Sequence, residues 1–160
     1  MADGDYEIVE EEGEPHRTSS KIDVLSGVPQ FHTLRLKGVL QGKKITVLVD
    51  GGATHNFIDS TLVERIKIHI EPFEGFNVVI LGNHTMECNR WIPNLQVNIN
   101  DYTMKDNFYV VYVEDTNMVF GSQWLYVIGE HSVNYKIPQI SFKDVEGKPV
   151  VLKGINMYPS

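Results

Sequence analysis

From residue 31 onward, hydrophobic and polar positions fall into a period of two. Leu34 and Leu36 alternate with Arg35 and Lys37, Gln41, Gly42, Lys43 and Lys44 make a turn, and Ile45, Val47, Leu48 and Val49 return as a second strand. The returning strand is apolar at successive positions, which predicts burial on both faces. Further on, Asp59, Ser60 and Thr61 offer N-cap oxygens, Thr61 and Glu64 stand at capping-box spacing, and Leu62, Val63 and Ile66 face a core. A helix of about two turns is expected there. Phe76, Val78 and Ile80 resume the alternation, and residues 82–85 are turn formers ahead of a strand over 86–92, so the segment predicts a long hairpin with a mobile tip. Leu95, Val97 and Ile99 make another strand, Asn100, Asp101 and Tyr102 turn it, and residues 108–113 add one more. Trp124, Leu125 and Ile128 have helical spacing, with Gly129 as a stop, which predicts a second short helix over Ser122–Ile128. Val133, Tyr135, Ile140, Phe142, Val150 and Leu152 mark closing strands around a turn at residues 146–149. The pattern is that of a mainly β domain with one or two short helices.

Composition narrows the classes. At 160 residues and 42% hydrophobic content the chain suffices for one globular domain and is too short for two. Residues 1–25 are Glu-rich with Gly, Pro and Ser and show no apolar period, so they read as an acidic flexible spacer. Residues 26–156 read as the folded domain and 157–160 as a tail. A net charge of −7 argues against direct binding to nucleic-acid phosphates. The single Cys88 allows no internal disulfide, and no Cys/His spacing matches a zinc module, so neither metal nor cofactor is expected. The acidic start is unlike a signal peptide, and no apolar run approaches a membrane span, which leads to the expectation of a cytoplasmic chain with no membrane partner.

The unusual feature is where an acid falls. Residues 45–59 read ITVLVDGGATHNFID, so a buried strand ends abruptly on Asp50, followed by Gly51 and Gly52. Asp-Gly is a common turn pair, and on those residues alone a plain β-turn suffices. The glycines also permit close backbone approach and leave the carboxylate unshielded. With the A-T-H-N-F-I that follows, the stretch resembles the active-site loop of retropepsin-like aspartic proteases, most closely those of plant gypsy-type long-terminal-repeat retrotransposons. One position departs from that pattern: Gly51 stands where the family usually has Ser or Thr.

The order of motifs extends the resemblance over roughly residues 26–155. A hairpin into D-x-G-A is followed by a flap-like hairpin and then by Val119-Phe120-Gly121, continued as S-Q-W-L-Y-V-I-G. The resemblance implies a retropepsin-like closed β-barrel or sandwich subunit with a flap hairpin, acting as a two-fold homodimer. Peptide hydrolysis by two carboxylates that share a proton is the established chemistry of aspartic proteases. Only one D-x-G-[AST] signature occurs here, so the second acid is expected from another copy of Asp50.

By the same resemblance Asp50 is catalytic, Gly51, Gly52, Ala53 and Thr54 form the active-site loop, and Leu81, Gly82, Asn83, His84 and Thr85 close over bound peptide. Val119, Phe120 and Gly121 give structural support. On the residues alone the hairpin tip reads as an ordinary exposed turn. His55 and His84 read as solvated loop histidines, and Trp124 as core. Two functions stay open. One is an aspartic endopeptidase that processes the polyprotein of its own retroelement, in the cytoplasm or within retroelement particles. The other is a catalytically weak or silent module that binds peptides or serves dimerisation, because Gly51 lacks the hydroxyl that braces the loops across the dimer axis.

Overall fold

The computed structural model describes residues 8–10, 18–22, 33–80 and 84–155. The first hairpin forms as the alternation predicts: β3 (Thr33–Leu40) pairs antiparallel with β4 (Lys43–Asp50). It turns on two residues, Gln41 and Gly42, both at positive φ (49° and 81°), the backbone twist that suits the flanking strands. Ahead of it lie β1 (Ile8–Glu10) and β2 (Thr18–Ile22), which pair with each other, and β2 also pairs parallel with β6 (Glu71–Ile80). The segment expected as an unstructured spacer therefore supplies two strands, which its acidic, aperiodic composition did not reveal.

β4 is buried on both faces, and the core explains how. Val47 and Val49 join one hydrophobic cluster with Leu34, Leu36 and Phe120, while Leu48 points to a second cluster with Phe57, Phe76, Val78 and Val119. β5 (Phe57–Asp59) follows the loop, and β9 (Met118–Phe120) inserts between β4 and β5, parallel to the former and antiparallel to the latter. β5 pairs in turn with β8 (Tyr102–Val111), and β8 with β7 (His84–Ile99), which reaches back to β3 through Val39 and Asn98. Strands β3, β4, β9, β5, β8 and β7 thus close a ring, from which β6, β2 and β1 branch outward at β7.

Several elements differ from the sequence expectation. The strands expected over 86–92 and 95–99 are one 16-residue strand, β7, whose register with β8 shifts between Ile92 and Leu95. Pro93 and Asn94, the latter at φ 55°, form an irregularity that bends the strand without ending it. β8 begins at Tyr102, several residues earlier than the apolar run suggested, because Thr103 and Lys105 alternate outward on it. The helix α1 (Ser60–Ile66) forms, but its N-cap is Asp59, so the Thr61–Glu64 capping box does not. The Asp59 side chain makes no cap bond and instead accepts the Val113 N–H at 3.0 Å. Helix α2 (Ser122–Ile128) has the predicted ends, and Gly129 closes it. A separate three-stranded sheet, β10 (His131–Asn134), β11 (Gln139–Lys143) and β12 (Pro149–Lys153), follows. Tyr135 lies in the turn between β10 and β11 rather than in a strand.

Candidate active site

Asp50 is the last residue of β4 and only 3% exposed. The chain turns immediately: the Ala53 N–H donates to the Asp50 carbonyl at 3.0 Å, and the Gly52 N–H donates to Asp50 Oδ1 at 2.9 Å. A backbone N–H on a carboxylate oxygen fixes the side chain's direction. Gly51 is exposed, Gly52 and Thr54 are half-buried, and Ala53 is fully buried in the second cluster. The Asp-Gly pair does make a turn, and this turn joins strands separated by β9 rather than the two arms of a hairpin.

Polar residues to which the sequence assigned no role hold the loop. Asn56, fully buried, takes the Gly121 N–H on its Oδ1 at 3.0 Å and donates from Nδ2 to Asp106 Oδ2 at 3.1 Å. Gln123 Oε1 accepts the Asn56 N–H at 3.0 Å, and Gln123 Nε2 donates to Asp106 Oδ1 at 3.0 Å. The Ser122 N–H reaches the Ala53 carbonyl at 2.7 Å, and the Ser122 hydroxyl donates to the Thr54 carbonyl at 3.1 Å. The start of α2 therefore clasps the loop from residue 53 to residue 56. Gly121 is required for this closeness, since a Cβ there would stand 2.3 Å from the His55 carbonyl oxygen and 2.6 Å from that of Ala53. Val119 and Phe120 are fully buried beside β4 and β5.

Gly51 is different. A Cβ on it would meet Leu125 Cδ1 at 3.4 Å, an ordinary contact, and its φ lies outside the left-handed region, so the fold does not demand glycine there. Tyr135 also stands near the site: burial raises its pKa first, and the charge of Asp50 raises it further. His55 is not the solvated side chain the sequence suggested. Its ring stacks on Phe76 at 4.9 Å, and burial lowers its pKa.

Of the expected hairpin tip, Leu81, Gly82 and Asn83 lie outside the described residues, while His84 and Thr85 begin β7, exposed and paired with Ile80 and Val79. Two other aspartates do structural work or sit in solvent. Asp144 Oδ1 accepts the Glu146 and Lys148 N–H groups in a turn, and Asp101 is an exposed turn residue. Among the described residues no group of three His, Cys, Asp or Glu side chains is placed to hold a metal ion, and no helix is long and apolar enough to cross a membrane.

A family model of the PEG10/RTL1 protease domain matches residues 46–146, which take in the second part of β4, the Asp50 loop, the β6–β7 hairpin and α2. The chain belongs to the PEG10/RTL1 protease-domain family. Among solved structures it is similar to the retroviral protease-like domain of Ddi1 from Leishmania major, with a TM-score of 0.59 over 80% of this chain and 98% of that one. At 14% identity that likeness speaks for the fold, and the fold is retroviral-protease-like and mainly β. No curated protein matches the chain. Membership of the PEG10/RTL1 family makes this a retropepsin-like protease domain, and the Asp50 loop lies inside the matched stretch.

Proposed function

We propose that the chain is an aspartic endopeptidase that works as a two-fold homodimer, with one Asp50 from each copy forming the catalytic dyad. The observation that carries this reading is the placement of Asp50, which is buried at the end of a core strand and oriented by the Gly52 N–H, in a loop clasped by α2. In the dyad one carboxylate takes a proton from the attacking water while the other protonates the substrate carbonyl, a division of labour that needs the two groups about one hydrogen bond apart. No metal or cofactor enters this chemistry. One chain supplies one such carboxylate, so the partner is a second copy.

The substrate in this reading is an extended, apolar-rich peptide segment of a retroelement polyprotein, laid between the Asp50 loop and the β6–β7 hairpin as an added strand. The hairpin acts as the flap, with residues 81–85 over the peptide. The motif wording favours a gypsy-type plant element as the origin, with action in the cytoplasm or inside retroelement particles. Residues 26–156 are the protease proper in this reading, and the acidic segment 1–25 adds β1 and β2 to its sheet. Replacing Asp50 by Asn tests the reading: cleavage of a fused polyprotein should stop while circular dichroism and melting stay unchanged. A parent protein with no cleavage at acidic pH, dimeric and peptide-binding, would replace it with the second reading.

That second reading, a weak or silent module for peptide binding or dimerisation, is favoured by Gly51. Nothing in the fold requires glycine at this position, and glycine removes the hydroxyl that would brace the two loops.

A further inference from the structure

The Asp50 loop and the base of the β6–β7 hairpin are joined by rings. The His55 imidazole, on the loop, stacks on Phe76 of β6 with centroids 4.9 Å apart and planes at 23°. The edge of Tyr109 on β8 approaches the same imidazole at 5.2 Å, and Phe57 at 6.1 Å. Tyr109 in turn contacts Phe76 at 5.1 Å, Phe73 at 5.5 Å and the stacked face of Trp91 on β7 at 6.1 Å. Both arms of the hairpin and the loop that carries Asp50 thus converge on one aromatic cluster.

The cluster also sits where the hairpin is weakest. The β6–β7 register shifts between Pro72 and Phe76, and Gly75 within that stretch has φ 95°. The ladder is interrupted there, so side-chain packing reinforces the connection that the continuous strand β7 and its pairing with β8 make between the outer hairpin and the body of the domain.

We infer that His55 is a positioning residue, clamping the β6–β7 hairpin onto the Asp50 loop while its imidazole is neutral and releasing it when the ring is protonated. The neutral ring suits its surroundings, with one polar partner, the Thr54 hydroxyl, 2.8 Å from Nδ1, and aromatic carbon on other sides. A cation in that box would gain some attraction from the ring faces but lose its hydration. Burial is the cause of the lowered pKa of His55, so the loss of hydration is the larger effect. The titratable group facing it is Tyr109 from β8, kept neutral because burial raises its pKa; Phe76 from β6 and Phe57 from β5 carry no charge. Asp106, the carboxylate felt by Tyr109, is occupied by Asn56 and Gln123.

The consequence for catalysis, a hairpin that loosens in mild acid and admits peptide to Asp50, rests on the peptidase reading. The clamp does not. Amide hydrogen exchange, corrected for intrinsic rates, is therefore the test, run without substrate at about pH 7.5 and about pH 5 on the wild type, His55→Phe and His55→Ala. In the wild type, protection of the β6–β7 hairpin should fall about tenfold at the lower pH, while the β3–β4 hairpin is unchanged. His55→Phe, which keeps a ring and cannot be charged, should stay protected at both pH values, and His55→Ala should be open at both. Equal wild-type protection at the two pH values, the same acid loss in His55→Phe, or simultaneous loss in β3–β4 would each overturn the clamp. If His55→Ala fails to fold, the comparison of wild type with His55→Phe decides alone. Absence of peptidase activity would sink the enzymatic reading and leave the clamp standing.

Discussion

Asn56 and Gln123 are 67 residues apart in the chain and hold each other in the fold: the Asn56 N–H donates to Gln123 Oε1 at 3.0 Å, and both side chains donate to the carboxylate of Asp106. Through this pair the loop after Asp50 and the start of α2 become one rigid unit. A loop with two glycines would otherwise have many conformations to lose on ordering.

Breaking that unit should be costly. Asn56→Ala leaves the Gly121 N–H without its acceptor in a buried site, and should destabilise the domain by about 2–3 kcal/mol, read as a lower urea midpoint at unchanged slope. Any peptidase activity should fall more than the stability alone explains, because the Asp50 loop loses its clasp.

Two glycines in the loop region should respond in opposite ways. Gly121→Ala places a methyl group 2.3 Å from the His55 carbonyl oxygen and should cost about 3 kcal/mol or prevent folding, seen in denaturant melts. Gly51→Ser has only Leu125 Cδ1 at 3.4 Å to accommodate, so the domain should stay folded. If the missing hydroxyl weakens the dimer, the serine variant should dimerise more tightly by sedimentation and cleave faster. No gain in either would end the bracing argument.

Stability should depend on pH through His55. Its folded pKa lies below the ordinary value of 6.5, so the unfolded chain binds the proton more readily. The stabilising contribution is fully present above pH 6.5 and is lost as pH falls through the depressed folded value. Urea midpoints of the wild type should therefore drop below those of His55→Phe as pH is lowered from about 8 to about 5, and the two should run parallel above about pH 7. Parallel curves throughout would remove His55 as the cause.

Cys88 should be inert in the native state. It is fully buried, and burial pushes its thiol up to about 11 despite contacts with the Arg90 and Val110 carbonyls, so little thiolate exists at neutral pH. A thiol reagent near pH 8 should label it only after denaturant is added, at a rate set by unfolding. Fast native labelling would mean that the β6–β7 hairpin opens far more often than its packing implies.

The sequence carried what depends on near neighbours. The β3–β4 hairpin, the ends of α2 and the abrupt stop of a doubly buried strand at Asp50 follow from local alternation, a turn pair and a glycine stop. Residues that act across the fold were less legible. Asn56, Asp106 and Gln123 look like ordinary polar residues because the partners that join them are more than 15 positions away. His55 read as solvated because its neighbours in sequence are polar, whereas its neighbours in space are Phe76 and Tyr109.

By itself, then, the sequence determined a mainly β domain and the place of one acid, because side-chain period and turn chemistry act over a few residues. The tertiary structure alone decided that β9 would thread between β4 and β5, that α2 would clasp the loop, and that His55 would enter an aromatic cluster. Those outcomes depend on which distant surfaces are buried together, and a one-dimensional pattern of apolar and polar positions does not specify that pairing.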